Sequence, residues 1–166
     1  QLGGNLRHIH YSERSTDFQA LLSRLIDQVQ SDPMIKVYKG AEVQKLSGYV
    51  GNYVTEVVTA EGNDERIEHG VVIVATGGAE YKPTEYLYGQ SPNILTQLEL
   101  EKKLVDQPVR DLKSVVMIQC VGSREPGHEY CSRVCCSQAV NNAIKLKELN
   151  ADTEVTVIYR DIRTYG

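Results

Sequence analysis

Apolar positions change their period several times along this chain, and each change predicts a different element. Phe18, Leu21, Leu22, Leu25, Ile26 and Val29 recur at helical spacing. They predict an amphipathic helix opened by Thr16-Asp17 and ended by Ser31-Asp32-Pro33. Residues 35–38 (Ile-Lys-Val-Tyr) read as a short strand and residues 41–46 as another. Residues 49–60 alternate around Gly51-Asn52, a hairpin turn, and residues 65–68 pair back after the turn at 61–64, completing an antiparallel meander. Next comes a continuous apolar run, Val71-Val72-Ile73-Val74-Ala75, predicting a strand buried on both faces. Thr76-Gly77-Gly78 follows, small enough to let another backbone or a ligand come close. Pro83, Gly89 and Pro92 punctuate a connector before a helix at 96–105. A strand at 114–120, a helix at 137–149 and a strand at 154–159 complete a βαβ unit. The expected class is α/β: a Rossmann-like fragment with an antiparallel meander and a following βαβ unit. The pattern breaks near residues 108–113, where Pro108, Arg110 and Asp111 interrupt it, dividing the chain into domains at 1–107 and 108–166.

The chain's four cysteines all fall at the first turn of that βαβ unit: Cys120, Cys131, Cys135 and Cys136. Cys120 is expected to end the strand and the other three to open the helix. Cys131 and Cys135, four apart, would share a helix face, with Cys136 about 100° further round and Cys120 reaching over from the strand. Four converging thiolates suit an iron–sulfur cluster or a tetrahedral zinc. The partial positive charge of a helix N-terminus would stabilise them, and Arg124 and Arg133 would add to that field. Zinc sites usually pair two C-x2-4-C knuckles, which this chain lacks, so a cluster leads. Structural zinc, buried free thiols and a disulfide remain the alternatives. A disulfide-reductase reading would need a C-x-x-C or C-x4-C redox pair, and neither is present.

Composition narrows the classes further. Eighteen basic against 22 acidic residues give a net charge of −4, and no basic stripe interleaved with aromatics offers a nucleic-acid footprint. Apolar runs are too short for a membrane span or a signal-peptide core. Reduced, clustered cysteines suit a cytoplasmic location, in an anaerobe if they hold a cluster. The chain opens with Gln1-Leu2-Gly3-Gly4 and ends at Tyr165-Gly166 just past a strand, which reads as a fragment of something larger.

Several stretches resemble one family. Residues 2–10 (Leu-Gly-Gly-Asn-Leu-Arg-His-Ile-His), 71–78 and 159–166 match, as do Cys120-Val121-Gly122-Ser123-Arg124 and Tyr130-Cys131-Ser132-Arg133-Val134-Cys135-Cys136. Together they are similar to the heterodisulfide reductase A-subunit family, flavoproteins with two dinucleotide-binding domains of the thioredoxin-reductase type. The resemblance implies FAD, a [4Fe–4S] cluster on the four cysteines, and partner subunits in an electron-transfer complex. Electrons would pass between flavin and cluster with no side chain acting as acid or base. By position, Gly3 and Gly4 would approach the flavin, Val43 the adenine, and Ala75, Thr76 and Gly77 the pyrophosphate or ribityl region. For His8 and His10 two readings stand, a place near the flavin or a surface or packing role, the second being commoner for histidines in a strand or loop. The family's G-x-G-x-x-G phosphate loop and its acidic ribose partner are absent from this sequence. FAD is therefore expected of the longer parent, and no turnover is expected of this piece alone.

Overall fold

The computed structural model describes residues 1–12, 17–107 and 109–164. Thr16, Pro108 and the closing Tyr165-Gly166 lie outside the described residues. The chain divides into two compact units, one of residues 1–5 and 21–78, the other of residues 6–20 and 79–166.

In the first unit, β1 (Glu42–Tyr49), β2 (Asn52–Val58) and β3 (Asp64–His69) form the expected antiparallel meander in sequential order. β1 runs further than its apolar pattern suggested. Tyr49 pairs with Asn52, so the turn residues are Val50 and Gly51, one position earlier than expected. Gly48 sits at φ +96°, where a Cβ would strike the Asn52 carbonyl, so only glycine fits. Val57 is the buried residue of this sheet.

Two expected strands do not form. Residues 35–38 stay outside any sheet, because Asp32 folds the preceding segment into a turn: its Oδ1 accepts from Met34 N at 2.8 Å and its carbonyl from Ile35 N at 3.1 Å. Residues 71–75 are also irregular, and Ile73 and Val74 are more than four-fifths exposed. The last ladder bond is Gly51 N to Gly70 O, after which the backbone leaves the sheet. A doubly buried strand needs partners on both edges and cover on both faces, and the meander supplies neither.

Helix α1 (Phe18–Ser31) begins beside Asp17, whose Oδ1 accepts from Ala20 N at 2.9 Å as an N-cap should. It ends where Ser31-Asp32-Pro33 predicted, with Leu22 as its buried position.

The second unit holds the parallel pair β4 (Ser114–Ile118) and β5 (Glu154–Ile158), joined by α3 (Cys135–Leu149) in a βαβ crossover. Val115 pairs with Val155 and Met117 with Val157. Leu104, Met117, Ala139 and Leu146 form its core, with Leu100, Leu112, Ala143 and Leu149 packed against them. Leu100 and Leu104 come from α2 (Gln97–Asp106), which lies along α3.

Buried polar groups fix how α2 and α3 meet. Asn142, fully buried on α3, donates through Nδ2 to the Gln97 carbonyl at 3.0 Å and to Gln97 Oε1 at 2.7 Å. Its Oδ1 accepts from the Tyr11 hydroxyl at 2.6 Å. Burial, reinforced by the charges of Glu101 and Glu148, keeps that phenol protonated well above its ordinary range. Glu101, 1% exposed on α2, accepts from His10 N, Tyr11 N and Gln138 Nε2. A buried carboxylate with this many donors is satisfied rather than stranded.

α2 opens with a full capping box. Thr96 Oγ1 accepts from Glu99 N, and Glu99 Oε2 accepts from Thr96 N at 2.9 Å. Thr96→Ala should cost about 1 kcal/mol of unfolding free energy in urea titration. Glu99 Oε1 also accepts from Lys82 Nζ at 2.8 Å and from the Tyr88 hydroxyl at 2.7 Å. Partial burial would raise the pKa of Glu99, but hydrogen bonds from Lys82, Thr96 N and Tyr88 outweigh it and hold the carboxyl at about 2. A carboxyl depressed by folding contributes stability above its unfolded pKa and loses it as pH falls through the folded value. Unfolding free energy should therefore decline between pH 4.5 and about 2. Glu99→Gln should flatten that window in acid denaturation followed by circular dichroism.

Candidate metal centre

β4 delivers the chain to the carboxyl edge of the parallel pair, where open α/β sheets place their ligands. The strand ends at Ile118, two residues before Cys120, so Cys120 lies in the loop rather than at the strand end. It adopts φ +64°, the left-handed region that a non-glycine residue rarely occupies. Arg124 (φ +60°) and Arg133 (φ +62°) do the same, giving the loop three such residues. Strain of this kind concentrates where a loop is held to a task.

At the other end, α3 begins at Cys135. Cys131 precedes it in irregular chain, so the expected shared helix face of Cys131 and Cys135 does not form. Only Cys135 and Cys136 lie in the first helical turn, Cys136 buried and Cys135 half-buried. The N-cap is Val134, which has no side chain able to cap, so no side-chain bond covers the helix start. First-turn N–H groups left without a cap suit an anionic sulfur. A loop amide already behaves in this way: Arg133 N donates to Cys131 Sγ at 3.4 Å.

All four cysteines are free thiols. Burial pushes the Cys135 thiol up; a hydrogen bond from Ser132 pulls against it, and charge on Cys136, Cys131 and Cys120 would raise it further. A cation beside Cys135 would remove that opposition to its ionisation. Among the described residues no set of three or more His, Cys, Asp or Glu side chains is assembled to hold a metal ion. The thiols are neighbours rather than a closed cage. In donor chemistry they fit a thiolate-ligated centre, with Cys120, Cys131, Cys135 and Cys136 as its holders and its binding energy closing the ligand shell.

One feature of the loop, the Tyr81–Gly122 contact, carried no sequence signal, whereas Arg124 was expected beside the cysteines. The Tyr81 ring occupies the space where a Cβ on Gly122 (φ +68°) would project, so glycine is required just after Cys120. Arg124 Nη1 lies 4.0 Å from Cys120 Sγ and also pairs with Asp161 just past β5. A cavity of about 210 Å³ opens beside them, lined by Gln119, Cys120, Gly122, Tyr86, Tyr159 and Arg160.

Of the expected flavin-side residues, Gly3, Gly4, Val43, Ala75, Thr76 and Gly77 lie in the first unit, whereas His8 and His10 belong to the second. Gly3 and Gly4 have positive φ, and Gly4 enters a short 3-10 helix (Gly4–His8). Asn5 Nδ2 donates to the Gly78 carbonyl at 3.0 Å, bringing the Gly3-Gly4 stretch to the irregular segment Thr76-Gly77-Gly78, 73 positions away in sequence. Around Gly4, Gly77 and Gly78 a Cβ would meet nothing within 4 Å, so this junction is open. Ala75, Thr76 and Gly77 are exposed, as is Val43 on β1. Small exposed residues at a backbone crossing fit the close approach of a cofactor, although no G-x-G-x-x-G loop accompanies them here.

Fold and thiols together define an α/β protein with a Rossmann-like βαβ fragment and a four-cysteine turn. The chain is homologous to a part of the heterodisulfide reductase A-subunit. It is 43% identical to the A-subunit of the H(2):CoB-CoM heterodisulfide,ferredoxin reductase of Methanothermobacter thermautotrophicus, over 64% of this chain and 18% of that protein. To the A-subunit of the ferredoxin/F(420)H(2)-dependent CoB-CoM heterodisulfide reductase of Methanosarcina acetivorans it is 40% identical, over 67% of this chain and 16% of that one. To an iron-sulfur A-subunit of the CoB–CoM heterodisulfide reductase of Methanopyrus kandleri it is 38% identical, over 64% of this chain and 19% of that one. The chain therefore spans less than a fifth of the length of these curated relatives. No protein-family model matches it.

Gly122→Ala should destabilise the second unit by about 1–3 kcal/mol, from left-handed strain and displacement of Tyr81. Tyr81→Ala should recover the steric part, so a double-mutant cycle in urea should show non-additivity; additive losses would mean the ring is not in the way.

Proposed function

We propose that this chain is part of an electron-transferring flavo-iron–sulfur subunit of the heterodisulfide reductase type. Cys120, Cys131, Cys135 and Cys136 hold a [4Fe–4S] cluster in this reading. The observation that carries it is the C-x10-C-x3-C-C run between the end of β4 and the first turn of α3, in a chain 43% identical over 64% of its length to a heterodisulfide reductase A-subunit. When bound, the cluster supplies one-electron chemistry. The chain's own residues set its surroundings: the amide of Arg133 donates to Cys131 Sγ, the first turn of α3 carries Cys135 and Cys136, and the loop holds Cys120.

FAD belongs to the longer subunit, with Gly3, Gly4, Val43, Ala75, Thr76 and Gly77 contributing to its site and electrons passing between it and the cluster. Residues 1–107 would then be part of the FAD-binding domain and 108–166 the start of the second dinucleotide-binding-like domain. Partner subunits of a heterodisulfide-reductase-like complex would deliver and accept electrons in the cytoplasm of an anaerobe. No described helix is long and apolar enough to cross a membrane.

Iron, zinc and acid-labile sulfide content of anaerobically purified protein tests the reading. About four irons and four sulfides per chain are expected; stoichiometric zinc without sulfide would replace the cluster with a structural zinc module. Cys131→Ala should abolish cluster uptake and loosen the loop before α3, seen as faster limited proteolysis there. A variant with full iron and sulfide would remove Cys131 from the ligand set. Because the thiols must lose protons to bind metal, uptake should weaken as pH falls.

A further inference from the structure

We propose that Arg124 is a positioning residue that sets the reduction potential of the four-cysteine centre through Cys120, with Asp161 as its counterweight; this rests on the iron–sulfur reading above. Arg124 Nη1 lies 4.0 Å from Cys120 Sγ, and its side chain is only 22% exposed, so water screens its charge incompletely.

The placement is enforced rather than incidental. Arg124 occupies left-handed backbone at φ +60°. Its carbonyl accepts from Arg160 Nη1, and its guanidinium pairs with Asp161. Asp161 is held from its other side by Arg163 Nε at 2.7 Å, while Arg160 Nη2 reaches Glu125 at 4.0 Å. The segment just after β5 therefore clamps one cation against one thiol. It also places one carboxylate behind that cation, which offsets part of its charge.

A fixed positive charge beside a sulfur ligand favours whichever oxidation state carries more negative charge. Reduction adds one electron to the centre, with no bond made or broken and no proton required. Arg124 should thus favour the reduced state, and Asp161 should oppose it. The two residues touch each other, yet their removal should move the centre in opposite directions.

Potentiometric titration of the anaerobically reconstituted chain, with dithionite as the one-electron reductant and electron paramagnetic resonance as the readout, tests this. Arg124→Gln should disfavour the reduced state roughly tenfold, lowering the midpoint by about 59 mV. Asp161→Asn should raise it, and Arg124→Lys should remain nearer to wild type than Arg124→Gln. A merely structural pair would shift both ways alike or not at all, and either result overturns the proposal. If Arg124→Gln takes up no cluster, Asp161→Asn decides: an unchanged or lowered midpoint overturns it. If wild-type chain takes up no iron and sulfide, the iron–sulfur reading itself fails at the content assay, before any potential is read, and this inference falls with it.

Discussion

The packing of α3 across the β4–β5 pair is the constraint on which the rest of the second unit depends. Met117 from the strand and Ala139 and Leu146 from the helix share one core with Leu104 of α2. Because a parallel connection must cross over, this core fixes two points in space: where β4 ends and where α3 begins. Cys120 lies two residues past the first point, and Cys135 and Cys136 lie at the second. The thiols are neighbours because the hydrophobic core holds the two ends of their loop, not because the cysteines attract one another. Charge on the other three opposes ionisation of Cys135.

That opposition explains the chemistry around the loop. A thiolate at half-buried Cys135 would need positive charge nearby, and the uncapped helix start and the Arg124 guanidinium are the chain's sources of it. Val134 at the N-cap leaves the helix start without a side-chain acceptor, where Ser, Thr, Asp or Asn would have competed for the same N–H groups. α2 makes the contrast within the same unit. Its N-terminus faces no thiols, and Thr96 and Glu99 close it with a full capping box. One helix start is closed for stability, and the other is left open beside sulfur.

The meander was readable because its strands neighbour one another along the chain, while α2 and the βαβ unit were readable from their own helical and strand periodicity. Turns at Gly51 and Gly62 set the hairpins, the first one position earlier than the Gly51-Asn52 pair predicts. Residues 71–75 carried an equally strong strand pattern and form none, because apolar run length reports suitability for burial and not the presence of neighbours. The cysteine cluster was legible as a spacing, but its geometry was not. Where a helix starts depends on capping and packing, so Cys131 proved to lie outside α3. Nothing in composition marked Glu101 as buried, because its backbone donors come from residues some 90 positions away.

The loop between Cys120 and Cys135 holds a single antiparallel bridge, Glu125 with His128, and is otherwise irregular, so further contacts fix its conformation. Three such restraints act near different parts of the loop. Tyr81 presses on Gly122 beside Cys120, the residues after β5 hold Arg124, and the Arg133 amide turns back onto Cys131. Left-handed backbone at Cys120, Arg124 and Arg133 is the cost of meeting all three at once. Such strain persists only where the surroundings overdetermine it. Here they do so with contacts drawn from the connector before α2, from the end of β5 and from the loop itself. A loop restrained from several directions can present thiols at fixed separations without a helix or strand beneath them. Holding a redox centre with little rearrangement between its states requires the same property.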